Sequence, residues 1–194
     1  TKLRAGGLTL SDNFAFTGTV SGTGMNLLLD ATISSAVSEY DISSTYINST
    51  YDDYVLLATL LPATDNVNLL MRVFDSGSVL TGDKYSFEAA SNAASSYLNS
   101  NSIHRFGLNV IATGNAAGEG ITVNIRAHNI NSTTHSFCYG GESQSFYTDA
   151  TPITASLCGA LLPTERNVVV NGLRLSFESG NIASGAVKLY GLRT

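Results

Sequence analysis

The side chains that could carry acid–base or metal chemistry in this chain are few and dispersed. Asp52 and Asp53 are the most conspicuous acidic pair. Neighbouring carboxylates on an extended segment point to opposite sides, which places them poorly as a general acid and its partner base. With Asp12, Asp65 or Asp75 from other loops they could offer oxygen ligands to calcium. The plain reading is a solvated strand entrance, and no metal site is assigned. His104, His128 and His135 could join a serine and an aspartate in a hydrolase triad. No Gly-x-Ser-x-Gly elbow accompanies them, and His128 falls on the polar face of a predicted strand. Surface or interface positions are expected for all three. Cys138 and Cys158 lack the close spacing of a zinc-finger pair. They are read as buried free thiols, with a disulfide open to them if their strands are neighbours. The glycines stand at turns rather than in a phosphate-cradling or dinucleotide fingerprint, so no cofactor and no catalytic residue is assigned.

Binding is a different matter. Tyr139, Gln144, Tyr147 and Asp149 fall on one stretch rich in Gly and Ser, read as a loop. Aromatic rings stacked on C–H groups, with amides and carboxylates on hydroxyls, are a means of gripping a sugar. A core edge or a subunit contact accounts for the same four residues, and both readings stand at this point.

Composition narrows the classes further. Only 13% of the 194 residues are charged, with 15 acidic against 10 basic and a net charge of -5, and the basic residues are scattered. That leaves no electrostatic footprint for nucleic acid. The longest apolar run, Tyr54 to Leu61, is far short of the roughly 20 residues that a membrane-spanning helix needs. The first residues, Thr1 to Gly7, lack the apolar stretch of a secretory signal.

The elements that must position these side chains are strands. Leu173, Leu175 and Phe177 alternate with Arg174, Ser176 and Glu178, and after Ser179-Gly180-Asn181 a second segment ends Val187-Lys188-Leu189-Tyr190. Period two on both sides of a glycine-containing turn predicts two strands with one dry face each. Leu189 and Tyr190 then face opposite ways, one of them into the core. Gly180 and Gly185 supply backbone freedom in the connection, and Asn181 tolerates a left-handed conformation. Tyr54 to Leu61 is apolar on both faces and predicts a central strand. Beyond Pro62 and the turn Ala63-Thr64-Asp65-Asn66, Val67 to Phe74 is expected as its hairpin partner. Phe106 to Ala112, Ile121 to His128 and Ile153 to Leu157 add further strands, whereas Ala90 to Ser102 reads mostly as surface loop. With nine to eleven short strands and no persuasive helix, the expected class is all-β: a single antiparallel β-sandwich, with a jelly roll as the preferred topology. Residues 1–24 are read as extended strands or an arm, and residues 25–194 as the sandwich domain.

The run from Leu173 through Gly180, Asn181 and Gly185 to Leu189-Tyr190-Gly191-Leu192 resembles the closing motif of bacteriophage virion domains of the tail-fibre and receptor-binding type. Tyr51-Asp52-Asp53-Tyr54 through Leu61-Pro62-Ala63-Thr64-Asp65 to Leu69-Leu70-Met71-Arg72-Val73 is similar to a strand, turn and strand of the same group. The resemblance implies a non-enzymatic structural protein of the virion, a tail, fibre or surface-projection component that contributes to host attachment. It implies a homo-oligomer, with a trimer expected by analogy with viral fibres, contacts with other virion proteins, and a host-surface glycan as ligand. Capsid decoration, or a carbohydrate-active enzyme on a β-sandwich, are the alternatives.

Overall fold

The computed structural model describes residues 24–92, 95–98, 106–109, 111–147 and 151–192. Almost all of the expected arm, residues 1–23, lies outside them, as do Asp12, His104 and Asp149. Among the described residues the chain forms β1 (Met25–Ile33), β2 (Tyr40–Ile42), β3 (Asp53–Pro62), β4 (Leu69–Asp75), β5 (Ser78–Val79), β6 (Tyr85–Ser91), β7 (Ser95–Leu98), β8 (Phe106–Gly107), β9 (Ile121–His128), β10 (Cys138–Phe146), β11 (Pro152–Leu161), β12 (Val170–Phe177) and β13 (Ile182–Leu192). A 3-10 turn at Pro163–Glu165 separates β11 from β12.

Alternation translates directly into burial. On β9, Ile121, Val123, Ile125 and Ala127 are buried while Thr122, Asn124 and Arg126 are exposed. Leu173, Leu175 and Phe177 of β12 point into the core, as their spacing requires. On β13 it is Leu189 that is buried, and Tyr190 lies half-exposed on the opposite face. Each fully buried Leu or Ile contributes about 1.5–3 kcal/mol relative to leaving it in water.

The strands form two antiparallel sheets in contact, a sandwich-like arrangement. The large sheet has eight strands in the order β1-β13-β3-β9-β10-β11-β6-β7, and the small one has the order β2-β12-β4-β5 with β8 also paired to β4. One core joins them, with Leu56, Val123 and Leu189 from the large sheet and Met71, Val73 and Leu175 from the small. Toward the far side of the large sheet, Tyr85 on β6 reaches across to β4. Its hydroxyl donates to the Leu80 carbonyl at 2.8 Å and accepts from the Val73 amide at 3.4 Å.

The pairings correct several sequence-based expectations. β4 is not the hairpin partner of β3, and β12 is not the partner of β13. Each connection crosses from one sheet to the other, so that β3 pairs with β13 and β9, and β12 with β2 and β4. A hairpin and a crossing connection both turn an apolar side toward the same core, so alternation alone does not separate them. The two connections instead stack on each other: the Ala63 amide donates to the Asn181 carbonyl at 2.8 Å. Gly180, at φ 74°, sits where a Cβ would overlap Thr64 Oγ1, and a Cβ on Gly185 would overlap the Thr59 carbonyl oxygen. The glycines therefore serve close approach as well as turning. The region read as loop from Ala90 contains the end of β6 and all of β7, and the strand expected from Phe106 is reduced to the two residues of β8. Cys138 and Cys158 are free, but they are not buried as expected, since Cys138 is half-buried and Cys158 exposed. Both fall on outward-facing positions of their strands.

Candidate functional site

The large sheet turns its apolar residues toward the small one, which leaves its outer face to the alternate, polar positions. Register places those positions in rows. One row runs Asp30, Lys188, Leu57, Asn124, Glu142 and Ser156 across β1, β13, β3, β9, β10 and β11. The next runs Thr32, Ala186, Thr59, Thr122, Gln144 and Thr154 across the same strands. Between β13 and β10 these rows enclose a shallow trough of about 400 Å³. Leu57 and Ala186 give it aliphatic contacts, and Thr59, Thr122, Asn124, Glu142, Gln144 and Lys188 its polar groups.

Three of these groups are engaged with neighbours. The hydroxyls of Thr59 and Thr122 lie 3.1 Å apart. The Lys188 ammonium donates to Asp30 Oδ2 at 3.1 Å, a bond that raises the lysine pKa. The side chains of Asn124, Glu142 and Gln144 make no hydrogen bond or ion pair among the described residues. Their amides and carboxylate are exposed and directed away from the core. Such a set can donate to and accept from a polyhydroxylated ligand lying across the strands. It is poorly arranged for glycoside cleavage: Asp30 and Glu142 are separated by four strand steps, or about 19 Å at a spacing near 4.8 Å, too far for a carboxylate pair flanking one bond.

Beside the trough, Asp53 holds two cationic-type partners. Arg126 Nη2 lies 2.9 Å and His128 Nδ1 3.1 Å from Asp53 Oδ2. The expected solvated strand entrance is thus half corrected, for the Asp53 side chain is only 13% exposed and is tied into an ion pair. His135 accepts from or donates to Thr134 Oγ1 at 2.9 Å. Among the described residues no three His, Cys, Asp or Glu side chains converge as a metal ion would need, and no helix is long and apolar enough to cross a membrane.

The four residues proposed from sequence for sugar contact do not form one surface. Residues 138–146 are strand rather than loop, so Tyr139 and Gln144, five apart, face opposite sides. Tyr139 is buried, and burial drives its phenol pKa far up. Tyr147 is half-buried just beyond β10, where its amide donates to the Thr151 carbonyl at 2.9 Å. Gln144 alone of the described three lines the trough. The residues that sequence reasoning missed are Asn124, Glu142, Thr59 and Thr122. The polar side of β9 was visible as alternation, but its alignment with β3 and β10 was not.

The Leu-Tyr-Gly end of the chain has a packing role. A Cβ on Gly191 would come within 2.6 Å of the Tyr51 ring, which lies against β13 and meets Tyr54 edge-on at 5.9 Å. Comparison of the chain with protein-family models, with curated proteins and with solved structures returns no match.

Proposed function

We propose that this domain is a non-enzymatic binding and assembly module of a virion surface, a tail, fibre or surface-projection component that contributes to host attachment through a glycan. The observation that carries the binding part is the trough on the large sheet, where Asn124, Glu142 and Gln144 stand exposed and without partners among the described residues. Polar groups already in water lose little when they exchange it for ligand hydroxyls, and the aliphatic side of a sugar ring finds Leu57 and Ala186.

The virion part rests on the resemblance of the segments 51–73 and 173–192, together with a strand path that supports a jelly roll. β1 pairs with β13, β2 with β12, β3 with β9 and β4 with β8, a nested set of antiparallel pairs divided between two sheets. On this reading β5 to β7 and the hairpins of β10 and β11 are additions to an eight-strand framework. Met25 and Leu27, each 52% exposed on β1 at the border of the large sheet, support a homo-oligomer, a trimer in this proposal.

Glycan-array binding of the purified domain tests the ligand. Selective retention of neutral or weakly charged oligosaccharides by the native chain, weakened about tenfold in the Asn124→Ala/Gln144→Ala variant, is the expected result. A native chain that binds no glycan, while cryo-electron microscopy locates it in the particle with that face covered by another virion protein, would replace attachment with a purely structural role.

A further inference from the structure

A second depression lies on the same outer face, over β6, β10 and β11, with a volume of about 350 Å³. Both cysteines line it. In the register of β10 and β11, Cys138 stands opposite Ala160 and Cys158 opposite Gly140, so the two thiols are diagonal neighbours. The Leu161 amide donates to the Phe137 carbonyl at 2.9 Å, which makes 137 and 161 a hydrogen-bonded pair. The pairs 138–160 and 140–158 are therefore of the closer, non-hydrogen-bonded kind. Because the residues facing the thiols are alanine and glycine, no larger side chain stands between them.

Diagonal positions place Cβ atoms about 7 Å apart, whereas a disulfide needs about 4 Å. The backbone thus holds the thiols too far apart to close on each other without moving. A bridging ion changes the requirement. With metal–sulfur bonds of about 2.3 Å, a two-coordinate ion spans sulfurs about 4.6 Å apart, within reach of two side chains that lean toward each other.

We propose that Cys138 and Cys158 form a two-thiolate site for a soft monovalent cation, copper(I) being the probe. No three metal-ligating side chains converge among the described residues, so the site lacks the four ligands that zinc prefers. Two sulfurs alone suit a soft d10 ion. Binding replaces each S–H proton by a sulfur–copper bond and releases two protons to solvent, with no change in oxidation state. The product carries one negative charge. Asn129 Nδ2 donates to Cys138 Sγ at 3.7 Å, and Arg126 lies on the same cross-strand row as Gly140 and Cys158. Asn129 favours that charge, whereas the Asp53 carboxylate, which already pairs with Arg126, and Glu88, opposite Cys158 on β6, disfavour it.

The test is anaerobic titration of the reduced full chain with copper(I) in competition with a chromophoric copper(I) chelator. One copper per chain is expected, with an ultraviolet thiolate-to-copper band, and a loss of affinity of at least about 100-fold in Cys158→Ser and in Cys138→Ser. Cys158 is exposed, so its variant reports even if Cys138→Ser fails to fold. A native chain that takes no copper from the chelator, a Cys158→Ser chain that binds as the native one does, or zinc(II) held as tightly as copper(I) would each overturn the site.

Discussion

The outer faces of the two sheets are built from the same kinds of residue and differ in what those residues still have to offer. On the small sheet, Arg174 Nε and Nη2 donate to the two Asp41 carboxylate oxygens at 2.6 and 2.7 Å. Its Nη1 meets Glu39 at 2.9 Å, and the guanidinium lies 5.3 Å from the centre of the Phe74 ring. The Arg174 cluster is satisfied within the chain, and hydrogen bonding to Asp41 raises the arginine pKa further, while Arg72 opposite it on β4 makes no side-chain hydrogen bond or ion pair among the described residues. On the large sheet, Asn124, Glu142 and Gln144 face water with no protein partner among the described residues. A saturated cluster must break bonds to receive a ligand, whereas an open one only exchanges water. Polarity by itself does not mark a binding face; unsatisfied, aligned polarity does.

The most damaging way to break the open face is from beneath. A Cβ on Gly141 would overlap the Asn124 carbonyl oxygen and come within 2.9 Å of Ile125 Cα, so Gly141→Ala forces β9 and β10 apart. A loss of about 3 kcal/mol of stability is expected by denaturant titration, with glycan binding lost as well. The equivalent change of an outward residue of β9, such as Thr122→Ala, should leave the melt nearly unmoved.

Alkali probes the same contrast through the core. Burial pushes the Tyr85 phenol from 10.0 up to about 12. A raised folded pKa means that the folded state holds the proton more firmly. The associated stability is complete below pH 10 and lost as pH rises through 12, at most about 2.7 kcal/mol for two pH units. Tyr85→Phe should flatten this alkaline limb in pH-dependent unfolding while lowering stability at neutral pH by about 1 kcal/mol, through loss of the bonds to Leu80 and Val73. An unchanged limb in that variant would remove Tyr85 from the explanation.

Changes on the faces themselves come next in size. Asn124→Ala/Gln144→Ala should weaken glycan binding about tenfold, some 1.4 kcal/mol, with stability within about 0.5 kcal/mol of native. Arg174→Ala should do the reverse, costing about 1 kcal/mol of stability with glycan binding untouched. If Arg174→Ala abolished binding and the double variant did not, the two faces would have exchanged roles.

Much of the scaffold was legible in the residues. The alternation of Leu173, Leu175 and Phe177, and of Ile121, Val123, Ile125 and Ala127, marked their strands and the sides turned inward. The site was far less legible. Reading 139–149 as a loop combined Tyr139 with Gln144, and the continuous strand β10 sends them to opposite faces. Gly140 and Gly141 lie within that stretch, yet they pair with Cys158 and Leu157 in an unbroken ladder.

Period two in the sequence determined the all-β class and which side chains leave water, because burial of alternate apolar groups acts residue by residue along each strand. It did not determine which strands become neighbours. β3 and β4 follow each other in the chain and lie in different sheets, while β1 and β13 pair although Lys188 and Asp30 are 158 residues apart. Only the tertiary structure decided that, since pairing depends on which two-layer packing covers all the apolar sides at once. The same global choice satisfied Arg174 on one face and left Asn124 and Gln144 open on the other.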